Sequence, residues 1–158
     1  MEDLVQVIYV SAATPQTSAQ DTAEFLKDIR KTNRKNDVSG MMLYIEGWIL
    51  LLLEGEAHKV DAALQEITTP RRKMRAILRE LVAEREFPDW IMGFEAVTSA
   101  DAGRLLGQPL VLDPTSALAH IEPRSAKTLL SIIGRRRWQS DRSGMFRAIR
   151  RTTGAGAR

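Results

Sequence analysis

The sequence predicts an α+β fold: a ferredoxin-like βαββαββ sheet, with two helices on one face and C-terminal helices packed on or beside the other. Three observations predict it. Apolar residues make up 44% of the 158 residues, enough for a real core. Strand-length apolar runs and helical periodicities follow in the order strand, helix, two strands, helix, two strands. Several of the runs are apolar on both sides, so the sheet needs covering on both faces.

Leu4 to Val10 reads as a first, central strand, with Val5, Val7 and Tyr9 on one face and Leu4, Ile8 and Val10 on the other. A polar connection containing Pro15 follows. A helix is expected from about Ser18 to Asn33, with Ser18 and Asp21 as cap or first-turn residues. Its apolar stripe is Ala19, Ala23, Leu26 and Ile29, and Asn33 lies seven residues beyond Leu26, close to that face. Asp37 to Ile45 reads as a second strand and Glu46-Gly47 as a tight turn. Trp48 to Leu53 is a third strand, almost wholly apolar and so central. A second helix runs from about Glu56 to Ile67, carrying Ala57, Val60, Leu64 and Ile67 on one side, and Thr68-Thr69-Pro70 stops it. Met74 to Glu86 has helical spacing and helix-favouring composition. The fold nonetheless needs a strand over part of it. Trp90 to Thr98 is a last strand. Ala100 to Leu106, Ser116 to His120, Arg124 to Arg137 and Gly144 to Arg151 look helical, and 152–158 reads as a disordered tail. This divides the chain into a domain over 1–98, a basic helical extension over 99–151 and the tail.

Composition excludes several classes. No cysteine is present, so disulfides, thiol nucleophiles and cysteine metal sites are excluded. No apolar run approaches a membrane span, and Met1-Glu2-Asp3 lacks a signal peptide's features, so a cytoplasmic protein is expected. The net charge of +3 hides a split. Residues 1–123 carry 13 basic and 19 acidic side chains, a net of −6; residues 124–158 carry 10 basic and one acidic, a net of +9. His58 and His120 are isolated, without metal-ligand spacing. Glu84 and Glu86 look like solvated charge. No Ser-His-Asp order or phosphate-binding glycine loop occurs, so neither a catalytic residue nor a metal site is expected.

Five stretches in order and spacing resemble the BLUF family of flavin-dependent blue-light sensors. They are Val7-Ile8-Tyr9-Val10-Ser11; Asn33 with Val38-Ser39-Gly40 and Met41 to Tyr44; Gly47 through Leu53-Glu54-Gly55; Pro70-Arg71-Arg72-Lys73; and Arg85 to Phe94, containing Phe87-Pro88-Asp89-Trp90-Ile91-Met92-Gly93. The resemblance covers about residues 4–98. It implies FAD, with FMN as the alternative, lying between the two helices with its ring toward the sheet. Tyr9 is then the tyrosine that bonds the switching glutamine, and Asn33 the amide holding the polar edge of the ring. Leu26, Ile29 and Arg30 are cofactor-side residues of the helix. Arg72 and Lys73 lie near the outer part of the cofactor, and Trp90 and Met92 are tied to signal transmission. The chemistry suits these types: the ring is apolar on its faces, and its edge wants a group that both donates and accepts.

Three departures stand out. The switching glutamine falls at Leu51, eleven residues after Gly40, and leucine has neither donor nor acceptor. The family's Ser-Arg pattern before the Asn is replaced by Ile29-Arg30-Lys31, and Lys73 stands where histidine is usual. In the family, light moves an electron and a proton from the tyrosine through the glutamine, and the spectrum shifts slightly to the red. With Leu51 that photocycle is expected to be impaired or lost. Without cysteine, the adduct chemistry of another flavin photoreceptor class is excluded too.

Each of these residues has a plainer reading. A strand tyrosine is usually packing, a helix-end Asn usually satisfies backbone groups, and Leu51 is an ordinary central-strand residue. Trp90 and Met92, two apart, would share one strand face as edge packing. The run Arg135-Arg136-Arg137-Trp138, with Arg142, Arg147, Arg150 and Arg151, would suit nucleic acid or an anionic surface. We favour a solvated helical cap over the acidic domain that uses its charge intramolecularly or against a partner, since no recognition motif is legible. The leading reading is a sensor module, not an enzyme, signalling by contact to a separate protein and through a homo-oligomer; the residues after 98 are too few for an effector enzyme. The alternatives are a light-independent scaffold of the same family, a flavin photoreduction module drawing an electron from Tyr9 or Trp90, and an acylphosphatase-like enzyme. The last lacks an arginine-rich loop between Ser11 and Ser18.

Overall fold

The computed structural model describes residues 3–12, 19–68, 74–109 and 121–143. The described elements are β1 (Leu4–Ala12), α1 (Ala19–Asn36), β2 (Ser39–Ile45), β3 (Trp48–Glu56), α2 (Ala57–Ile67), β4 (Arg75–Leu81), β5 (Gly93–Val97), α3 (Ser99–Leu106) and α4 (Pro123–Ser143). The sheet order is β4-β1-β3-β2-β5. Every neighbouring pair is antiparallel except β2 and β5, which run parallel. The expected ferredoxin-like α+β architecture with one added strand is therefore the observed one.

The central strands are apolar on both faces, and each face has its own core. On one side Val5, Val7, Met42, Leu51 and Leu53 pack with Phe25, Leu26 and Ile29 of α1 and Val60, Ala63, Leu64 and Ile67 of α2. On the other, Ile8, Val10, Met41, Leu43, Leu50 and Leu52 pack with Ala102 of α3 and with Ala126, Leu129, Leu130 and Ile133 of α4. Those four α4 positions follow the i, i+3, i+4, i+7 stripe of a helix buried on one side. The helical cover of the second face is thus built from the C-terminal segment, as the two-sided strands require.

Several boundaries follow backbone chemistry. Asp37, with φ 56°, ends α1 and redirects the chain into β2. Glu46 and Gly47 both have positive φ, 45° and 97°, as a two-residue type I′ hairpin demands. Thr98 caps α3 by accepting the Asp101 amide at 3.0 Å, and Gly107 closes it at φ 72°.

Four expectations are corrected. The helical reading of Met74 to Glu86 gives way to β4, because pairing with β1 overrides propensity at an open sheet edge. The last strand is only Gly93–Val97. Ala23 is exposed, and the buried stripe of α1 is Thr22, Phe25, Leu26, Ile29, Thr32 and Asn33. Glu86 is not solvated charge: it accepts from Ser131 at 2.9 Å and pairs with Arg135 at 3.1 Å. The predicted helices at 116–120 and 144–151, the tail over 152–158 and His120 lie outside the described residues.

Candidate functional site

The site grows from the face of the sheet under α1 and α2. Leu51, in the middle of β3, is wholly buried there. Its register partners are Tyr9 on β1 and Met42 on β2. Directly opposed residues of antiparallel strands present their side chains on the same face. Tyr9 and Leu51 are therefore neighbours on that face. Tyr9 is half-buried, and Leu51 offers it neither donor nor acceptor. Burial pushes the Tyr9 phenol above its ordinary range; the guanidinium of Arg79 pulls it part of the way back, and Asp61 opposes that pull. Arg79 and Asp61 are joined by a two-point ion pair at 2.8 and 3.4 Å.

α1 supplies the polar group. Asn33 is wholly buried, and its Nδ2 donates to the Ile91 carbonyl at 2.8 Å. Its Oδ1 is buried without a partner. A buried acceptor left open is costly, which makes it a natural place for a ligand N–H. Leu26 and Ile29 flank it as buried apolar residues of the same helix face, and half-buried Arg30 donates through Nε to the Met92 carbonyl at 3.1 Å. α1 and α2 are tied at their C-terminal ends by Glu66, which accepts from Lys35 Nζ at 3.2 Å and lies 3.5 Å from Thr32 Oγ1 and Asn36 Nδ2. These donors hold the Glu66 carboxyl below its ordinary range, Lys35 most strongly.

Trp90 and Met92 do not share a face. Neither lies in β5, so strand alternation does not govern them. Met92 is buried with the α1/α2 core, whereas Trp90 packs with the α4-side core, stacked on Phe87 at 5.7 Å. Tyr9, Asn33, Leu26, Ile29, Arg30, Leu51 and Met92 thus gather on one side of the sheet, and Trp90 lies on the other. Arg72 and Lys73 lie outside the described residues.

Sequence reasoning missed Glu54. It is wholly buried and accepts from Gln6 Nε2 at 3.1 Å and from the backbone amides of Glu86 and Phe87 at 3.0 and 2.6 Å. One signal was available: a carboxylate inside the otherwise apolar run Trp48 to Gly55 is unusual unless it is bonded.

The donor set fits a flavin ring. The open Asn33 acceptor suits the ring's imide N–H, and Leu26, Ile29 and Leu51 suit its apolar faces. Among the described residues no cluster of three or more His, Cys, Asp or Glu suits a metal ion. No described helix is long and apolar enough to cross a membrane.

Comparison with known proteins bears on the family and the fold. The profile of the family described as BLUF, sensors of blue-light using FAD, matches residues 4–93. No curated protein matches the chain. Among solved structures, a bacterial light-regulated adenylyl cyclase is 26% identical with a TM-score of 0.55, over 60% of this chain and 28% of that one. This chain therefore spans little more than a quarter of that enzyme. BlrB, a BLUF protein solved in its dark state, is 23% identical with a TM-score of 0.60, over 83% of this chain and 98% of that one. BlsA in its photo-activated state is 20% identical with a TM-score of 0.65, covering 80% and 91%.

Proposed function

Because the chain belongs to the BLUF family, we propose that it is a flavin-binding sensor or regulatory module whose red-shift photocycle is impaired or lost at Leu51. One observation carries this reading. The buried Asn33 acceptor that would hold a flavin edge is intact, while the residue opposite Tyr9 is leucine. FAD, when bound, supplies the absorption of blue light; FMN is the alternative.

The chain's own residues then divide the work. Asn33 accepts from the ring edge and holds the Ile91 carbonyl. Leu26, Ile29 and Leu51 exclude water from the ring faces, and Arg30 fixes the Met92 carbonyl at its border. Arg72 and Lys73 are assigned to the outer, phosphate-bearing part of the cofactor. Tyr9 keeps its proton, since Leu51 cannot relay it. Output passes by protein contact to a downstream partner, through the C-terminal helices or through a change in a homo-oligomer; this module does no catalysis. Nucleic acid is not the favoured partner: Arg124, Lys127 and Arg135 already pair with Glu80 and Glu86.

A light-independent scaffold is the second reading, favoured by Leu51 completing an apolar core. In a photoreduction module the electron would come from Tyr9, since Trp90 lies across the sheet. Visible spectra of the purified protein, in darkness and under blue light, separate these. A flavin spectrum with no reversible red shift is expected. A red shift would overturn the role given to Leu51, and bleaching would favour photoreduction. A colourless protein would favour the scaffold.

A further inference from the structure

Glu54 is a wholly buried carboxylate that the proposed chemistry leaves unused. It belongs to the α4 side of β3, opposite to its neighbour in sequence Leu53, and three donors converge on it. Two of these are consecutive backbone amides, those of Glu86 and Phe87. They lie midway along the stretch that carries the chain from β4 at one sheet edge to β5 at the other.

Beyond those amides the chain reaches the flavin side within five residues. The Phe87 carbonyl accepts from the Trp90 amide at 3.3 Å, and the Trp90 carbonyl from the Gly40 amide at 3.1 Å. The next two carbonyls, of Ile91 and Met92, accept from Asn33 Nδ2 and Arg30 Nε. The Phe87 ring meanwhile stacks on Trp90 and lies against Gly134, where an added Cβ would stand 2.6 Å from it. The second half of the connector is therefore held at Glu86 and Phe87 and again from Trp90 to Met92, and its register decides whether the Ile91 carbonyl meets Asn33. With Nδ2 committed there, Oδ1 is the atom left as acceptor.

We propose that Glu54 is a positioning residue for the flavin site: by gripping the Glu86 and Phe87 amides it sets the connector that orients the Asn33 amide across the sheet. The proposal rests on the flavin reading for its purpose, but its geometry can be tested without flavin. Glu54→Gln keeps the volume and replaces one acceptor oxygen by an NH2 group, which must then face another donor. The first readout is the Asn33 side-chain amide resonance, identified by its loss in Asn33→Leu. The second is the rate of flavin release. In E54Q the resonance is expected to move and flavin release to quicken about tenfold, the equivalent of one lost hydrogen bond to a charged group. Gln6→Leu, which spares the backbone contacts, should do neither.

An Asn33 resonance and flavin retention both unchanged in a folded E54Q would overturn the proposal. A colourless protein whose Asn33 resonance still moves would keep it and sink the flavin reading instead. Should E54Q fail to fold, hydrogen exchange in the unaltered protein decides. The Phe87 and Gly40 amides should open together as one unit. Fast exchange at Phe87 with Gly40 still protected would overturn it.

Discussion

In the proposed reading, the single side chain at position 51 separates holding a chromophore from responding to it. Leu51 satisfies packing completely, being wholly buried between Tyr9 and Met42. Leu51→Gln should therefore cost stability, about 1–3 kcal/mol for an amide placed in an apolar site, while giving flavin-loaded protein a reversible red shift. Urea melts and light-minus-dark spectra check the two halves; a variant that stays spectrally inert would mean other departures also block the cycle. Tyr9 makes a second residue-scale prediction. Burial raises its phenol, so the folded state binds that proton more tightly than the unfolded one. The resulting stability is present below the ordinary tyrosine range and is lost as pH rises through the raised value. Tyr9→Phe should flatten the alkaline limb of a stability-against-pH curve, read as urea midpoints from about pH 8 to 11.

At the scale of elements, α4 meets the connector between β4 and β5 through a glycine. Alanine in place of a helical glycine ordinarily gains roughly 1 kcal/mol. At Gly134 the new methyl would stand 2.6 Å from two carbons of the Phe87 ring. Gly134→Ala should instead lower stability by about 1–3 kcal/mol through overpacking. A stabilised variant in thermal melts would show that the ring moves aside freely. β4 illustrates the opposite balance. Its sequence Arg-Ala-Ile-Leu-Arg-Glu-Leu favours helix locally, yet hydrogen bonds to β1 and half-burial of Ile77 and Leu78 make it a strand.

Across the whole molecule, the acidic core segment and the basic C-terminal segment meet. Glu80 on β4 pairs with Arg124 at 3.1 Å and Lys127 at 2.8 Å, and Glu86 pairs with Arg135. The two carboxylates and Lys127 are part-buried, but Arg124 and Arg135 are exposed and screened, so apolar burial by Leu129, Leu130 and Ile133 is expected to hold the helix in place. Glu80→Ala is expected to cost no more than about 1 kcal/mol, and less at high salt. A loss above about 2 kcal/mol in chemical melts would mean that charge, rather than the apolar stripe, docks α4.

Element order, the two-sided strands, the hairpin at Glu46-Gly47 and the family were legible in the sequence, because periodicity and turn chemistry are local properties. Tyr9, Asn33 and Leu51 were singled out by their fixed spacings from recognisable runs, and the structure sets Tyr9 opposite Leu51 and buries Asn33. Tertiary structure alone decided the rest. It made β4 a strand, set Trp90 and Met92 on opposite sides, turned Glu86 inward to α4, and left the Asn33 oxygen open. It also gave Glu54 three donors from two distant segments. Each of these depends on which remote backbone groups a side chain meets once the sheet closes, and sequence spacing carries no record of that.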